Sequence, residues 1–171
     1  MGLRDRHDGA PKRTFQLREK VFAVGDDFWI EDDAGRKAFK VNGKALRLRQ
    51  TFALEDPEGA ELATIREKKL AIRDTMVIEL HGGEIKVHKR AFGIRDRFIA
   101  EVDEGENYTA KGNFVDHEYE IERDGETVAE ISKKWFRLRD TYGVEVIGEQ
   151  DVPMILAFTV CIDTMARNRS N

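Results

Sequence analysis

A five-residue pattern returns six times along this chain, and its spacing restricts the fold more than any other feature. It reads apolar, any residue, usually Val, Ile or Leu, often Arg, then a polar residue that is commonly Asp. The clear copies are Leu46-Arg-Leu-Arg-Gln50, Leu70-Ala-Ile-Arg-Asp74, Phe92-Gly-Ile-Arg-Asp96 and Phe136-Arg-Leu-Arg-Asp140. Phe22-Ala-Val-Gly-Asp26 and Phe114-Val-Asp-His-Glu118 are weaker copies that fall where the spacing predicts them. The starts lie 24, 24, 22, 22 and 22 residues apart. A period of that size holds two strands and two turns, so six units predict about twelve antiparallel strands, enough to curl and close into a barrel. A propeller blade needs roughly 40 residues, which the period disfavours. Ile65 to Glu79 also aligns without gaps on Ile131 to Glu145, pairing Ile72-Arg-Asp-Thr75 with Leu138-Arg-Asp-Thr141, which points to an internal duplication of three units.

Turn signals divide the chain at matching intervals: Asp33-Ala-Gly35, Asn42-Gly43, Asp56-Pro-Glu-Gly59, Gly82-Gly83, Asp103-Glu-Gly105, Lys111-Gly-Asn113 and Asp124-Gly125. The short segments between them are rich in Val, Ile, Phe, Tyr and Thr, and many alternate apolar with polar, the period of a half-buried strand. Glu118 to Glu122, the Asp124-Gly125 turn and Glu126 to Ile131 form the clearest hairpin.

The last segment departs from this period. Asp151-Val-Pro-Met-Ile-Leu-Ala-Phe-Thr-Val-Cys-Ile162 places an acid and a proline where a helix starts, then runs apolar with Thr159 as its one hydroxyl. A helix that is apolar all round must be enclosed. The run is well short of the roughly 20 residues that a bilayer requires. A twelve-stranded barrel is wide enough to leave a lumen, and this helix is the expected plug, meeting inward residues such as Leu48, Ile72, Ile94 and Leu138. The fold class is therefore all-β with one helix: a closed barrel of about twelve antiparallel strands around a buried hydrophobic C-terminal α-helix. Residues 1–13 are expected to be a disordered arm, 14–167 a single domain that includes the core helix over 152–165, and 168–171 a tail.

The residues that carry this pattern resemble those of a known family. Gly25-Asp-Asp-Phe-Trp-Ile30, Gly43-Lys-Ala-Leu-Arg-Leu48, Gly112-Asn-Phe-Val-Asp-His-Glu-Tyr119, Ser132-Lys-Lys-Trp-Phe136 and Arg139-Asp-Thr-Tyr-Gly143 are similar to bacterial members of the LURP-one-related family, within the tubby C-terminal-like superfamily. The resemblance covers about residues 15 to 165 and implies a twelve-stranded barrel threaded by its C-terminal helix. Related groups are the phospholipid scramblases and the tubby domains, which bind phosphoinositide head groups. The cysteine-rich, proline-rich and acidic calcium-type segments of scramblases have no counterpart here.

Composition narrows function without naming it. With 29 Lys+Arg against 33 Asp+Glu, the chain carries a net charge of -4, which argues against a dedicated nucleic-acid binder. The single cysteine, Cys161, forms no intrachain disulfide and sits in an apolar run where a thiol is packing; cytoplasmic placement, in part peripheral to a membrane, is the expectation. His7, His81, His88 and His117 show no zinc spacing, although His81 and His88 flank the Gly82-Gly83 turn and could meet across a hairpin. The acids Asp26-Asp27 and Glu31-Asp32-Asp33 read as solvated turns. No nucleotide loop or nucleophile motif occurs. The sequence therefore predicts no enzyme, no catalytic residue, no metal site and no cofactor.

What remains are three basic stretches, with Lys68, Lys69, Lys86, Lys89, Arg90, Lys133, Lys134 and Arg137 as candidate anion-binding groups and Trp135 as an amphipathic ring suited to a membrane interface. The expected function is a noncatalytic binding or adaptor module for anionic phospholipid head groups at a membrane surface. The alternative is a structural protein-interaction scaffold with no small ligand. An edge-free barrel does not pair strands with a second copy, so a monomer is expected, with an anionic membrane surface or an unknown protein as partner.

Overall fold

A computed structural model describes residues 9–18, 27–46, 49–68, 74–92, 95–136 and 140–167. Twelve strands follow one another as β1 (Lys12–Arg18), β2 (Phe28–Asp32), β3 (Lys37–Leu46), β4 (Arg49–Glu55), β5 (Glu61–Glu67), β6 (Thr75–Leu80), β7 (Gly83–Phe92), β8 (Arg95–Glu101), β9 (Tyr108–Asn113), β10 (Glu118–Arg123), β11 (Glu126–Ser132) and β12 (Thr141–Ile147). Each pairs antiparallel with its neighbour in sequence, and β1 closes the ring on β12, from Lys12 opposite Ile147 to Arg18 opposite Thr141. A single helix, α1 (Val152–Arg167), completes the chain.

The alternation read in the sequence sets which side chains fill the barrel. Phe15 and Leu17 of β1, Phe28 and Ile30 of β2, and Tyr119 and Ile121 of β10 are buried, while the residues between them are half-buried or exposed. From Met154 to Met165 every residue of α1 is buried, because strands enclose the helix on all sides. Its start is built as expected: Asp151 accepts the Met154 N–H on Oδ1 at 3.2 Å and takes the Ile155 N–H on its main-chain carbonyl at 3.1 Å, with Pro153 in the first turn.

The six repeated motifs fall between consecutive strands. They join β1 to β2, β3 to β4, β5 to β6, β7 to β8, β9 to β10 and β11 to β12, so all six mark the same end of the barrel. Because α1 starts at the opposite end, beside the β6–β7 turn where His81 reaches Asp151, its C-terminus emerges among the motifs. Leu48, Ile72, Ile94 and Leu138 lie outside the described residues. The aligned segments of the duplication place β5–β6 and β11–β12 halfway round the ring from each other.

Two of the turn signals belong to strands. Asn42 and Gly43 sit inside β3, opposite Ala53 and Phe52, and the Asn42 amide donates to Glu55 Oε1 at 3.1 Å. The β3–β4 ladder runs on through the pair to Leu46, so the chain stays extended there. Lys111 to Asn113 likewise close β9, and the turn follows at residues 114–117. Gly112 takes φ +139°, and a Cβ on it would stand 2.6 Å from the Glu118 carbonyl oxygen, so glycine is required where β9 crosses so close to β10. The Asp124-Gly125 hairpin forms as expected, with a bulge between Ile121 and Glu122. Bulges at Ile30/Glu31 and Leu54/Glu55 adjoin the β2–β3 and β4–β5 turns, at the end of the barrel where α1 begins. Each inserts a residue that sharpens strand curvature, which a closing sheet needs.

Candidate functional site

The expected basic residues divide into separate places. Lys86 and Arg90 point outward from β7 and are exposed, whereas Lys89 faces the barrel mouth and pairs with Asp96. Lys68 follows β5, its main-chain N–H bonded to the Thr75 carbonyl at 2.8 Å. Arg66 beside it is held by Glu79 and Glu84, each at 3.0 Å, so its charge is matched. Lys133, Lys134 and Trp135 lie in the β11–β12 connection, halfway round the ring from Lys68 and four strands from β7. Lys69 and Arg137 lie outside the described residues. Lys68 and the residues at 133–135 thus share one barrel end but stand on opposite sides of it.

The β11–β12 connection is anchored from below. Glu118 accepts from the Ser132 hydroxyl at 2.9 and 3.0 Å and from the Lys133 N–H at 3.1 Å, and the Ser132 hydroxyl in turn accepts the Lys134 N–H at 3.1 Å. The Trp135 and Phe136 rings fold back onto Gly143 of β12, where a Cβ would meet them at 2.6 and 2.7 Å. Trp135, 40% exposed, and Val115, 72% exposed in the β9–β10 turn, are the large apolar side chains left open to solvent among the described residues. Both stand on the motif end, at neighbouring connections.

A rim notch opens a quarter-turn away. The β8–β9 ladder stops at Arg97 opposite Lys111, although β8 begins at Arg95 and β9 runs on to Asn113. Beyond that point Arg95 and Asp96 pair only toward β7, and Gly112 and Asn113 only toward β10. The parted strands leave a cavity of about 660 Å³ whose wall includes Lys89, Arg95, Arg97 and Lys111, with Phe98, Phe114 and Ala166 giving it an apolar side. The Phe98 and Phe114 rings meet edge-on at 4.7 Å. On the outer face Arg90, Arg97 and Lys111 stand directly opposite one another across three strands, and the same row continues as Glu120, Glu130 and Glu145 on β10, β11 and β12.

A buried polar cluster sits inside the same end. Asp163, 3% exposed, accepts from the Tyr142 hydroxyl and faces His117 Nε2 at 3.1 Å, and the His117 ring stacks on Tyr142 at 4.3 Å. His117 occupies the left-handed region at φ 52° in the β9–β10 turn, which swings its ring inward against the helix. Burial first, then the Asp163 charge, pushes the neighbouring Tyr119 hydroxyl well above the ordinary tyrosine range, with the Thr159 hydroxyl offsetting part of this. Burial likewise pushes the Cys161 thiol far above its usual value, where a thiolate does not form.

Neither this cluster nor the notch was legible in the sequence. Arg97 and Lys111 meet only through the β8–β9 register, and His117 and Asp163 are 46 residues apart on different elements. The Arg95-Asp96-Arg97 run was the available signal in the sequence. His81 and His88 do not meet: His81 bonds Asp151 at 2.9 Å, while His88 stands further up β7 beside Glu101 at 3.7 Å. Asp32 serves the β2–β3 turn, accepting the Ala34 and Arg36 N–H groups at 2.9 Å each, and these bonds hold its carboxyl below the usual range. Among the described residues there is no cluster of His, Cys, Asp or Glu suited to a metal ion, and no helix is long and apolar enough to cross a membrane.

A closed antiparallel barrel filled by its own C-terminal helix, charged without and apolar within, defines the class of protein. The LURP-one-related family model matches residues 13–163, and the chain belongs to that family. Its fold is similar to that of an Arabidopsis thaliana protein solved by X-ray crystallography, with a TM-score of 0.61 and 15% identity over 91% of each chain. No curated protein matches it in sequence.

Proposed function

We propose that this LURP-one-related barrel is a noncatalytic binding or adaptor module whose motif end meets anionic phospholipid head groups at a membrane surface. The observation that carries the reading is the exposure of Trp135 and Val115 at neighbouring connections of that end, with Lys133 and Lys134 just before Trp135 in the chain. An indole fixed in place at a surface, with cations next to it, suits the boundary between head groups and acyl chains. The noncatalytic part is supported by two groups inside the barrel: Asp163 is held by Tyr142 and His117, and burial keeps the Cys161 thiol protonated.

Co-sedimentation with anionic and neutral vesicles at low and high salt tests it, with the Lys133→Glu, Lys134→Glu double variant beside the parent. Anionic-selective, salt-sensitive binding that the double variant loses is expected. Binding to neither vesicle would overturn the lipid reading and favour a protein-interaction scaffold, for which the row of Glu120, Glu130 and Glu145 offers a ready face to a basic partner.

A further inference from the structure

We propose that the rim notch between β8 and β9 is a phosphate-binding site, taking a phosphate monoester carried on a small apolar group. Like charges directly opposite each other on a sheet face repel and weaken the pairing. Arg90, Arg97 and Lys111 are set in register across three neighbouring strands all the same, and the ladder comes apart at the last of these pairs. An anion lodged in the cavity beside Arg97 and Lys111, the two of these cations that line it, relieves that repulsion. Lys89 and Lys111 have carboxylate partners in Asp96 and Glu122 and contribute charge to the wall, while the planar guanidinium groups of Arg95 and Arg97 offer the geometry for the phosphate oxygens. A guanidinium has five N–H donors in a planar fork, enough to keep one partner and still bind a phosphate oxygen in bidentate fashion.

The remainder of the cavity selects the rest of the ligand. Phe98 and Phe114 present ring surface beside the cations, and a volume of about 660 Å³ exceeds what phosphate alone occupies. The C-terminal pole of α1, at Ala166, brings a partial negative charge to the cavity, and Asp96, Glu120 and the Glu122 partner of Lys111 add three full ones against the four cations of the wall. The balance stays positive but modest, which fits one phosphate group better than a polyanion.

A lipid head group and a soluble phosphate ester share this chemistry. The site stands or falls apart from the membrane reading, which supplies only one of these two sources. The test is titration calorimetry on the full chain with three probes: inorganic phosphate, dihexanoyl phosphatidic acid below its micelle concentration, and dihexanoyl phosphatidylcholine. The Arg97→Gln, Lys111→Gln double variant and the distant Lys12→Gln control are titrated in parallel, with the thermal midpoint of each recorded. Saturable binding of the phosphatidic acid is expected, with inorganic phosphate at least tenfold weaker and phosphatidylcholine silent. The double variant should lose at least tenfold while keeping its thermal midpoint, and a single Arg95→Gln change should lose affinity in the same direction. Absence of saturable binding by either anionic probe overturns the proposal, as does binding that survives both sets of substitutions. Short-chain binding without vesicle binding upholds the notch and refutes the membrane reading; vesicle binding that depends on Lys133 and Lys134 with no short-chain binding does the reverse.

Discussion

Asp163 shows how one polar residue can be kept inside an apolar helix. A buried carboxylate is costly unless it is hydrogen-bonded or paired, and here the Tyr142 hydroxyl and the His117 ring meet it within the core. The cluster ties the last turns of α1 to β12 and to the β9–β10 turn. Tyr119 beside it gives a measurable consequence. Its hydroxyl ionises well above the ordinary value of about 10, so above that pH the unfolded chain loses its proton first. The contribution of this group is therefore fully present below about pH 10 and is lost as the pH rises toward the folded value. Alkaline unfolding followed by circular dichroism should move to higher pH in Tyr119→Phe, and an unchanged midpoint would show that this group does not govern the transition.

Among the elements, the β11–β12 connection is where packing decides most. Gly143 leaves room on the outer face of β12 for the Trp135 and Phe136 rings. Gly143→Ala places a methyl within 2.6 Å of Trp135 Cε3, so the rings must lift away. Overpacking of this kind costs about 1–3 kcal/mol. Urea unfolding should report that loss, and the indole fluorescence should shift to the red as Trp135 gains exposure. A variant with parental stability and spectrum would mean that the rings are not held by this contact.

For the molecule as a whole, the helix is the core. Phe158 is fully buried in α1, and strands from both halves of the duplication close around that helix. Phe158→Ala removes ring contacts on all sides and should cost about 3–5 kcal/mol. Since the strands have no other interior to pack on, denaturant unfolding of this variant should remain a single transition, coincident by fluorescence and circular dichroism. A surviving sheet signal after the helix has melted would contradict a core shared by the whole barrel.

The repeat spacing, the strand period and the all-apolar C-terminal run were enough to specify twelve antiparallel strands closed around a helix, because these are local patterns with one economical way to bury their apolar faces. The same patterns located the hairpin at Asp124-Gly125 and the start of α1 at Asp151. Register was beyond them. Asn42-Gly43 carries the local chemistry of a turn, yet cross-strand bonds to β4 keep it extended. The basic residues could be found by inspection, but ring closure set Lys68 and Lys133 on opposite sides and aligned Arg90 with Arg97 and Lys111. His117 meets Asp163 only once a positive φ in one turn faces the end of the helix. Local periodicity determined the architecture because burial acts on each segment separately; the candidate sites were decided by tertiary structure, since a site needs groups from distant segments brought to one place.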